Sequence, residues 1–485
     1  MNLAAVVLAA GQGTRMKTKL PKVIHSVAGK PMVLYALETV SALGATQTVL
    51  VVGHGADQVR ETVSNFQLPT PNFQLPTSNF QLPTPNFQLP TSNFQLPISN
   101  LQCVEQREQR GTGHAVLQAR EVLRGKSDAV FVSYADMPLM RVETLRRLTD
   151  AHASARATIT LLTLICDDSM AFGRILRDAK DRVVGIVEER DATPAQLAIR
   201  ELNCGVYCFD ADWLWDHLPR LQPSGRNNEY YLTDLVGMAC QENRAVEAVA
   251  SHDASEMLGI NTRVQLAQAE RIMRERINTA LMLAGVTLLD PATTYVESGV
   301  VVGEDTIVEP NTYLRGKTRV GANCRIGPNA IIRDSHIGDH CEIIASDLTQ
   351  AVVEERVRIG PYARLRAGAH IAREAYIGNF GEVKNSYVGE RSHIGHFSYV
   401  GDAQLGKHVN IGAGTITCNF DGAKKNQTVI GDDAFIGSDT LLIAPVAVGA
   451  RARTGAGAVV NKDIPADSLA VGAPARVIKQ SANDK

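Results

Sequence analysis

The first group of residues that could do chemistry is a glycine-rich turn with positive charge nearby. The run LAAGQGTRM occupies residues 8–16, after an apolar stretch at residues 3–8 that predicts a buried strand. Such a turn exposes backbone N–H groups that can bind phosphate, and Arg15 and Lys22 add positive charge beside it. The turn lacks the final glycine of a dinucleotide fingerprint and the GK[ST] of a P-loop. By itself it therefore also fits a simple tight bend.

Two further polar residues are placed where a metal ion could bind. Asp136 follows an apolar stretch at residues 129–133, and alternating strand and helix patterns predict an open, mostly parallel sheet. Ligands of such sheets bind beyond the carboxyl ends of the strands, so Asp136 would share an edge with the glycine-rich turn. A carboxylate there suits Mg²⁺. Asp136 could equally cap a turn, and Asn261 could cap the helix that follows it.

A third motif, QREQRGTGHA at residues 106–115, combines an amide with a Gly-Thr-Gly turn. This turn would let the backbone approach a ligand closely, and the Gln106 amide is suited to reading the edge of a base. Downstream, residues 173–175 and 183–188 predict a hairpin. An apolar stripe at helical spacing between residues 266 and 284 predicts a longer helix that connects two domains.

The second half of the chain is organised by a six-residue repeat. Branched aliphatic residues recur at every sixth position in several runs, often followed by glycine. The runs are Val302, Val308, Leu314, Val320, Ile326, Ile332; Val353, Ile359, Leu365, Ile371, Ile377, Val383; Val388, Ile394, Val400; Leu405, Ile411, Thr417; and Ile430, Ile436, Leu442, Val448. Short strands that turn a corner after each repeat produce this pattern, and they stack their aliphatic side chains in one interior. The pattern predicts a parallel β-helix, with glycines where the backbone bends or adopts positive φ.

The composition argues against several other classes of protein. The 485 residues carry 49 basic and 51 acidic side chains, so the net charge of −2 offers no field for nucleic acid or an anionic membrane. The eight cysteines contain no CxxC pair, which indicates neither a disulfide framework nor structural zinc. No uncharged run reaches the roughly 20 residues of a membrane span, and the apolar start is not a signal peptide. We expect a cytoplasmic protein with no nucleic-acid or membrane partner.

Residues 65–99 differ from the rest of the chain. The sequence Asn-Phe-Gln-Leu-Pro recurs there with a period of seven. Because each copy contains proline, a helical heptad is excluded. We expect an exposed insertion, disordered or polyproline-like, that takes no part in chemistry.

The motifs of the two halves together resemble one family. LAAGQGTRM…LPK is similar to the signature of sugar-nucleotide pyrophosphorylases, and GTGHA, NEYYLTD and GINTR accompany it. The second half contains RLRAGA, GNFGEVK, GHFSYVGDA, NIGAGTITCNFDG and GSDT. With these motifs the chain resembles the bifunctional N-acetylglucosamine-1-phosphate uridyltransferase / glucosamine-1-phosphate N-acetyltransferase family, except at residues 65–99 and the extreme C-terminus.

This resemblance implies an α/β chain of two domains. A Rossmann-like nucleotidyltransferase domain would occupy residues 1–254, followed by a linker helix at 255–285. A left-handed parallel β-helix of hexapeptide repeats would occupy residues 286–478, with a flexible tail at 479–485. The resemblance also implies a homotrimer whose acetyl-transfer sites are shared between neighbouring coils.

For the first half, the resemblance implies attack of a sugar 1-phosphate on the α-phosphorus of UTP. Such chemistry needs charge neutralisation and in-line positioning more than a protein nucleophile. Arg15 and Lys22 would meet phosphates, and Asp136 and Asn261 would bind Mg²⁺. The other implied contacts are Leu8, Ala9, Ala10 and Gly11 with the nucleotide and sugar, Gln106, Gly111 and Thr112 with uracil, and Gly173, Glu188 and Asn203 with the sugar. Ala135 and Cys204 replace the family's usual glycine and threonine, and we expect activity to be retained.

For the second half, the resemblance implies acetyl transfer from acetyl-CoA to glucosamine 1-phosphate. His396 would be the general base that takes a proton from the sugar ammonium, a role that suits imidazole because its ordinary pKa is about 6.5. A surface role, or a metal pair with His393, are the alternatives. The other implied contacts are Arg366 and Lys384 with the sugar phosphate, Tyr399 and Asn410 with the sugar amine, and Ala413, Asn419, Phe420, Ser438, Ala456 and Arg476 with acetyl-CoA. Phe420 stands where the family usually has tyrosine.

Two other functions fit parts of the sequence. The chain could be a uridyltransferase whose β-helix serves only as a trimerisation scaffold. This alternative predicts loss of His396, Arg366, Lys384 or the loop at residues 418–429, and all of these are present. It could also be a sugar-nucleotide sensor without catalysis. The pair Asp136 and Asn261 argues against a sensor.

Overall fold

The computed structural model describes residues 1–67, 100–168, 170, 172–225 and 228–480. The chain divides into two compact units between Met273 and Arg274. The domain limits predicted at residues 254, 285 and 478 stay predictions. Most of the insertion predicted at residues 65–99, and residues 481–485 of the predicted tail, lie outside the described residues. Residues 65–67 end a helix and residues 479–480 end a strand, so neither short piece is irregular.

The first unit contains a sheet with helices packed on both of its faces. The strands of this unit are β1 (Leu3–Ala9), β2 (Ser26–Val27), β3 (Lys30–Pro31), β4 (Gln47–Val52), β5 (Leu101–Glu105), β6 (Ala129–Tyr134), β7 (Ile159–Ile165), β8 (Gly173–Arg177), β9 (Val183–Val187), β10 (Glu201–Asp210) and β11 (Val246–Ser251). The main sheet has the order β11-β7-β10-β6-β1-β4-β5, and the β8–β9 hairpin joins β10. Only β10 runs antiparallel to its neighbours along this order. The mostly parallel sheet and the hairpin are confirmed.

Helices cover both faces of the sheet because its central strands are mostly apolar on both sides. Every residue of β1 is buried, as expected for a strand with both faces covered. The α-helices are α1 (Met32–Ala42), α2 (Ala56–Gln67), α3 (Thr112–Leu117), α4 (Arg120–Leu123), α5 (Val142–Ala155), α6 (Pro194–Leu197), α7 (Ala211–His217), α8 (Asp234–Gln241) and α9 (Arg263–Leu283). Short 3-10 helices occur at Thr14–Met16, Lys22–Ile24, Glu189–Asp191, Leu218–Arg220 and Ala254–Met257.

Helix α9 carries the apolar stripe that the sequence predicts. In the first unit, Leu266, Ala269 and Met273 join an apolar cluster that includes Met32. In the second unit, Ile277 and Leu281 pack against the β-helix interior. The two ends of α9 therefore pack against the cores of different units, whereas Ala280 and Ala284 of the predicted stripe are exposed.

The second unit is a coil of short strands arranged in three sheets, which form its three faces. These strands are parallel except for the last, Arg476–Gln480, which pairs antiparallel with Ser468–Val471. The first face contains Thr287–Leu288, Ile307–Val308, Arg325–Ile326, Glu342–Ile343, Arg358–Ile359, Tyr376–Asn379, His393–His396, Asn410–Ile411, Phe435–Ile436, Arg453–Thr454, Ser468–Val471 and Arg476–Gln480. The second face contains Tyr295–Val296, Tyr313–Arg315, Ile331–Arg333, Asp347–Thr349, Arg364–Leu365, Glu382–Lys384, Tyr399–Gly401, Ile416–Cys418, Leu441–Ile443 and Val459–Val460. The third face contains Val301–Val302, Arg319–Val320, His336–Ile337, Val352–Val353, His370–Ile371, Tyr387–Val388, Ala403–Leu405, Thr428–Ile430 and Val446–Val448.

The interior of this coil is the predicted aliphatic ladder. All residues of the hexad runs are buried, and Ile377, Ile394 and Ile411 stack in register on successive coils. Burial of one such side chain contributes about 1.5–3 kcal/mol relative to exposure, so the repeated stack supplies the main driving force for this fold. The left-handed parallel β-helix is confirmed.

The positive φ expected for glycines that follow the aliphatic residues is confirmed at Gly327 (106°) and Gly360 (105°), but it is not the general rule. Positive φ falls mostly on other residues at the corners, such as Asn329 (58°) and Phe380 (57°). Gly378, which follows Ile377, is required for a different reason. A Cβ at this position would lie 2.0 Å from the Gly395 carbonyl oxygen of the next coil, so glycine here permits a close approach of two strands.

Candidate active sites

The carboxyl ends of four parallel strands meet at one edge of the first unit. Beyond β1, the Gln109 side-chain amide donates to the Ala10 carbonyl oxygen at 2.8 Å. The backbone N–H of Gln106 donates to the carbonyl of Val52 at the end of β4 (2.8 Å). The backbone N–H of Ala135, after β6, donates to the Leu8 carbonyl at 2.9 Å. The glycine-rich turn, the Gln106 motif and the Asp136 segment therefore share one edge.

Because the side chains before Gly11 are buried, the start of the glycine-rich turn can offer a ligand only its backbone. Leu8, Ala9 and Ala10 are buried, whereas Gly11 is exposed. Arg15 lies on the 3-10 helix Thr14–Met16 and is exposed. Its guanidinium is accessible to a phosphate group.

Lys22, Asp136 and Asn261 come together at this edge. The Lys22 ammonium donates to Asp136 Oδ2 and, at 3.0 Å, to Asn261 Oδ1. The Lys22 and Asp136 side chains are 11% and 16% exposed. Helix α9 is capped instead by Thr262, whose Oγ1 accepts from the backbone N–H of Gln265 at 3.2 Å. Asn261 is thus not the cap, and its side chain is available to the site.

The donor set of this site fits Mg²⁺. The Lys22 ammonium shows that one cation can contact both the carboxylate and the amide oxygen. Across the described parts of the chain, no group of three or more His, Cys, Asp or Glu side chains could hold a metal. One carboxylate and one amide oxygen leave room for phosphate and water oxygens, which suits Mg²⁺ better than zinc.

The predicted uracil-reading residues form a rigid turn. Gln106 is 5% exposed, and its Nε2 donates to the Gly111 carbonyl at 3.1 Å. Gly111 has φ of 105°, and a Cβ there would lie 2.7 Å from the Tyr230 carbonyl oxygen. Thr112 Oγ1 accepts from the Leu232 N–H at 3.0 Å. The NEYYLTD segment therefore holds this turn in place, which explains why both motifs occur together.

Gly173, Glu188 and Asn203 also lie together. Asn203 on β10 pairs with Gly173 on β8, and a Cβ on Gly173 would lie 3.7 Å from Glu188 Oε2. Burial raises the pKa of Glu188, and a 3.0 Å hydrogen bond from the Thr233 hydroxyl partly opposes this effect. Asn203 Nδ2 donates to the Tyr207 hydroxyl at 2.7 Å. Sequence reasoning did not single out Tyr207 or Thr233, although Thr233 lies inside NEYYLTD.

In the second unit, His396 lies outside the aliphatic core, as expected. It is exposed at the end of the strand His393–His396. Its Nδ1 lies 3.1 Å from Asn379 Oδ1, and the two residues are register partners on adjacent coils. Asn379 was not singled out from the sequence, although it stands within GNFGEVK.

Of the other predicted sugar-site residues, Arg366, Lys384 and Tyr399 lie on the second face of the coil or at its corners. Arg366 Nη1 is 2.9 Å from Glu382 Oε1, and Glu382 pairs in register with Tyr399 on the next coil. Lys384 follows in the same strand as Glu382 and is half-buried. Asn410 lies on the first face, where it pairs with His393.

The amide of Asn419 is held beside this face. Its Nδ2 lies 3.5 Å from the Tyr399 hydroxyl and also donates to Asp402 Oδ2. Asp402 Oδ1 in turn accepts from Asn385 Nδ2 at 2.6 Å. Asp402 and Glu382 are charged residues that the sequence motifs contained but whose roles only the contacts reveal.

Three predicted acetyl-CoA residues occur at successive coils of one corner. The backbone N–H of Asp439, next to Ser438, donates to the Ala413 carbonyl at 2.6 Å. The N–H of Gly457, next to Ala456, donates to the Ser438 carbonyl at 2.8 Å. Together they offer a row of small side chains, half-exposed at Ala413 and exposed at Ser438 and Ala456.

The loop after the strand Ile416–Cys418 carries Phe420. Its ring is 55% exposed, with the Lys425 ammonium 4.6 Å from the ring centroid. Asp421 accepts hydrogen bonds from the backbone of Lys424 and Ala423, which lower the pKa of its carboxyl to about 2. Arg476 begins the last strand of the first face and is exposed.

Comparisons with known protein families match segments of each unit to transferases. Residues 5–164 match the MobA-like NTP transferase domain, residues 299–334 the bacterial transferase hexapeptide, and residues 427–462 the hexapeptide repeat of succinyl-transferase. In the part of the chain that the structure describes, no helix is long and apolar enough to cross a membrane. The fold and sites define a two-unit transferase that joins a nucleotidyltransferase to a hexapeptide-repeat acyltransferase.

Full-length relatives narrow this class. The chain is 43% identical over 471 residues to Bifunctional protein GlmU of Pelobacter propionicus, covering 97% of this chain and 95% of that protein. It is 44% identical over 477 residues to the protein of the same name from Trichlorobacter lovleyi (98% and 97% covered) and 41% identical over 478 residues to that from Carboxydothermus hydrogenoformans (99% of each). The chain belongs to the bifunctional GlmU family. It is an enzyme with uridyltransferase and acetyltransferase activities, acting on a nucleotide and on acetyl-CoA.

Proposed function

We propose that the second unit transfers an acetyl group from acetyl-CoA to glucosamine 1-phosphate, and that the first unit then joins the product to UTP. The products would be UDP-N-acetylglucosamine and pyrophosphate. The observation that best supports the proposal is the cation-binding arrangement of Asp136 and Asn261 around the Lys22 ammonium, beside a turn with exposed backbone.

In the first unit, the sugar phosphate oxygen attacks the α-phosphorus of UTP and pyrophosphate leaves. Mg²⁺, when bound by Asp136 and Asn261, supplies neutralisation of the triphosphate charge. Lys22 and Arg15 add positive charge at the same edge, and Gln106 presents a fixed amide to the base. This reaction depends on positioning and charge, so it needs no protein nucleophile.

In the second unit, His396 acts as the general base. Its Nε2 takes a proton from the sugar ammonium, and the free amine attacks the thioester carbonyl. The C–S bond then breaks, the amine nitrogen loses its second proton as the amide forms, and the departing CoA thiolate takes up that proton. Arg366 and Lys384 hold the sugar phosphate, the first through a forked set of donors and the second as a point charge.

We further propose that the enzyme acts as a homotrimer in the cytoplasm. Hexapeptide-repeat coils commonly associate, and the exposed position of His396 leaves its site open on one side. A neighbouring coil would close that side and exclude water. The mass of the protein in solution, measured by light scattering at several concentrations, tests this state.

The alternative of a uridyltransferase with an inert scaffold is disfavoured by the second unit. Its coil retains His396 with a hydrogen-bond partner and Arg366 paired with Glu382. A scaffold would need neither arrangement.

The test of both activities uses His396→Ala on the full chain, with CoA release and pyrophosphate release measured separately. We expect CoA release to disappear and pyrophosphate release to remain. The matched control is His393→Ala, which removes an exposed imidazole that packs edge-on against Tyr376 (6.1 Å between centroids). Equal loss of both activities in His396→Ala would contradict separate sites.

A further inference from the structure

Asn379 and His396 are brought together by a local change in the coil. The neighbouring strands of the first face, Arg358–Ile359 and Asn410–Ile411, are two residues long. In contrast, Tyr376–Asn379 and His393–His396 each extend to four residues. This extension adds the register pair Asn379 with His396 beyond the pair of interior isoleucines.

The extension depends on glycine. A Cβ on Gly378 would lie 2.0 Å from the Gly395 carbonyl oxygen, so a side chain there would push the two strands apart. The interior ladder is formed by the isoleucines that precede these glycines in the two strands. The core therefore does not require the strands to extend beyond the isoleucines. Gly378 therefore allows a close strand approach next to the position where the chain sets an amide beside the exposed imidazole.

We infer that Asn379 is a positioning residue that fixes the tautomer of His396 for acetyl transfer, an inference that rests on the proposed function of the second unit. Asn379 Oδ1 lies 3.1 Å from Nδ1, and an amide oxygen can only accept a hydrogen bond. Nδ1 therefore carries the proton. Nε2 keeps its lone pair and faces away from Asn379, as a general base requires.

The side chain of Asn379 is neutral, and this distinguishes its effect on His396 from that of a carboxylate. It orients the ring without adding a negative charge that stabilises imidazolium. The neighbouring strands of the second face carry Arg364, Lys384 and Glu382, which is paired with Arg366. The two first-face strands themselves carry the titratable side chains of Tyr376 and His393, which contact each other edge-on. A carboxylate at position 379 would place a negative charge directly beside the imidazole and would stabilise its protonated form.

The test compares Asn379→Ala and Asn379→Asp in the full chain by CoA release at saturating substrate. Loss of one neutral hydrogen bond predicts a roughly 3- to 10-fold lower kcat for Asn379→Ala with KM for both substrates unchanged. Asn379→Asp keeps an acceptor, so we expect kcat to recover at high pH. For Asn379→Asp, the acid limb of the pH–rate profile of CoA release should move to higher pH. A merely structural role of Asn379 would not produce this shift.

Two further measurements distinguish failure of the positioning role of Asn379 from failure of the proposed function. In ¹⁵N-histidine spectra of the full chain, the inference predicts a protonated Nδ1 at His396 in the wild type and a mixture of tautomers in Asn379→Ala. The control Gln404→Ala removes a half-exposed amide from the third face and should behave as wild type. Wild-type kinetics in Asn379→Ala, or an Nε2-protonated wild type, would overturn the positioning role. Absence of CoA release from the wild type itself would instead overturn the proposed function.

Discussion

Replacement of Asp136 by asparagine separates the proposed metal-binding role of this residue from its structural role. The change keeps the shape of the side chain and removes its charge. Lys22, 11% exposed, then faces two amides in place of a carboxylate and an amide. Because hydrogen bonds to charged groups contribute about 1.5–3 kcal/mol, we expect the free energy of unfolding of the first unit to fall by about 1–3 kcal/mol.

The effect on catalysis should be much larger than the effect on stability. Removal of one preorganised group that stabilises transition-state charge typically lowers kcat about 10²- to 10³-fold. We expect a loss of that order in pyrophosphate release, with CoA release unchanged. We also expect Mg²⁺ to protect the wild type against thermal unfolding in the presence of UTP more than it protects the variant.

The matched control for this prediction is Glu38→Gln. Glu38 pairs with Lys30 at 2.7 Å, and their side chains are 21% and 16% exposed, so this pair resembles the Lys22–Asp136 pair in burial. It should lose a similar amount of stability and keep full pyrophosphate release. If Asp136→Asn retains pyrophosphate release within about threefold of Glu38→Gln, Asp136 does not bind the catalytic metal.

Two further predictions concern a core hydroxyl and a buried acid. Thr417 occupies an aliphatic position of the coil, where its Oγ1 accepts from the Gly401 N–H at 2.8 Å. Thr417→Val should lower the free energy of unfolding in urea by about 1–3 kcal/mol, because that buried N–H loses its partner. An unchanged urea midpoint would refute this prediction. The raised pKa of Glu188 means that the folded state binds more protons than the unfolded state between the ordinary pKa of glutamate, about 4.3, and the raised value, so stability falls as pH rises through that window. Glu188→Gln should therefore gain stability relative to wild type as pH rises from about 4 to 8. If the difference in free energy of unfolding between the two proteins does not change with pH, the pKa of Glu188 is not raised by folding.

Much of the fold follows from the sequence because its signals are local and repeated. The hexad runs require an interior ladder, and buried Ile377, Ile394 and Ile411 stack as the spacing predicts. The apolar run of β1 and the stripe on α9 are equally direct. The glycines were less predictable, since positive φ falls on residues such as Asn329 and Phe380. Whether a glycine is needed for close approach depends on the neighbouring coil.

The sequence by itself determined which residue types are available for each chemistry, because motifs such as GTGHA and GNFGEVK carry them within a few positions of one another. Only the tertiary structure decided which of them meet. Lys22 contacts Asp136 and Asn261, which lie 114 and 239 residues further along the chain, because parallel strands bring their carboxyl ends to one edge. Asn379 meets His396, 17 residues away, because that separation equals one turn of this coil and the two strands are extended there.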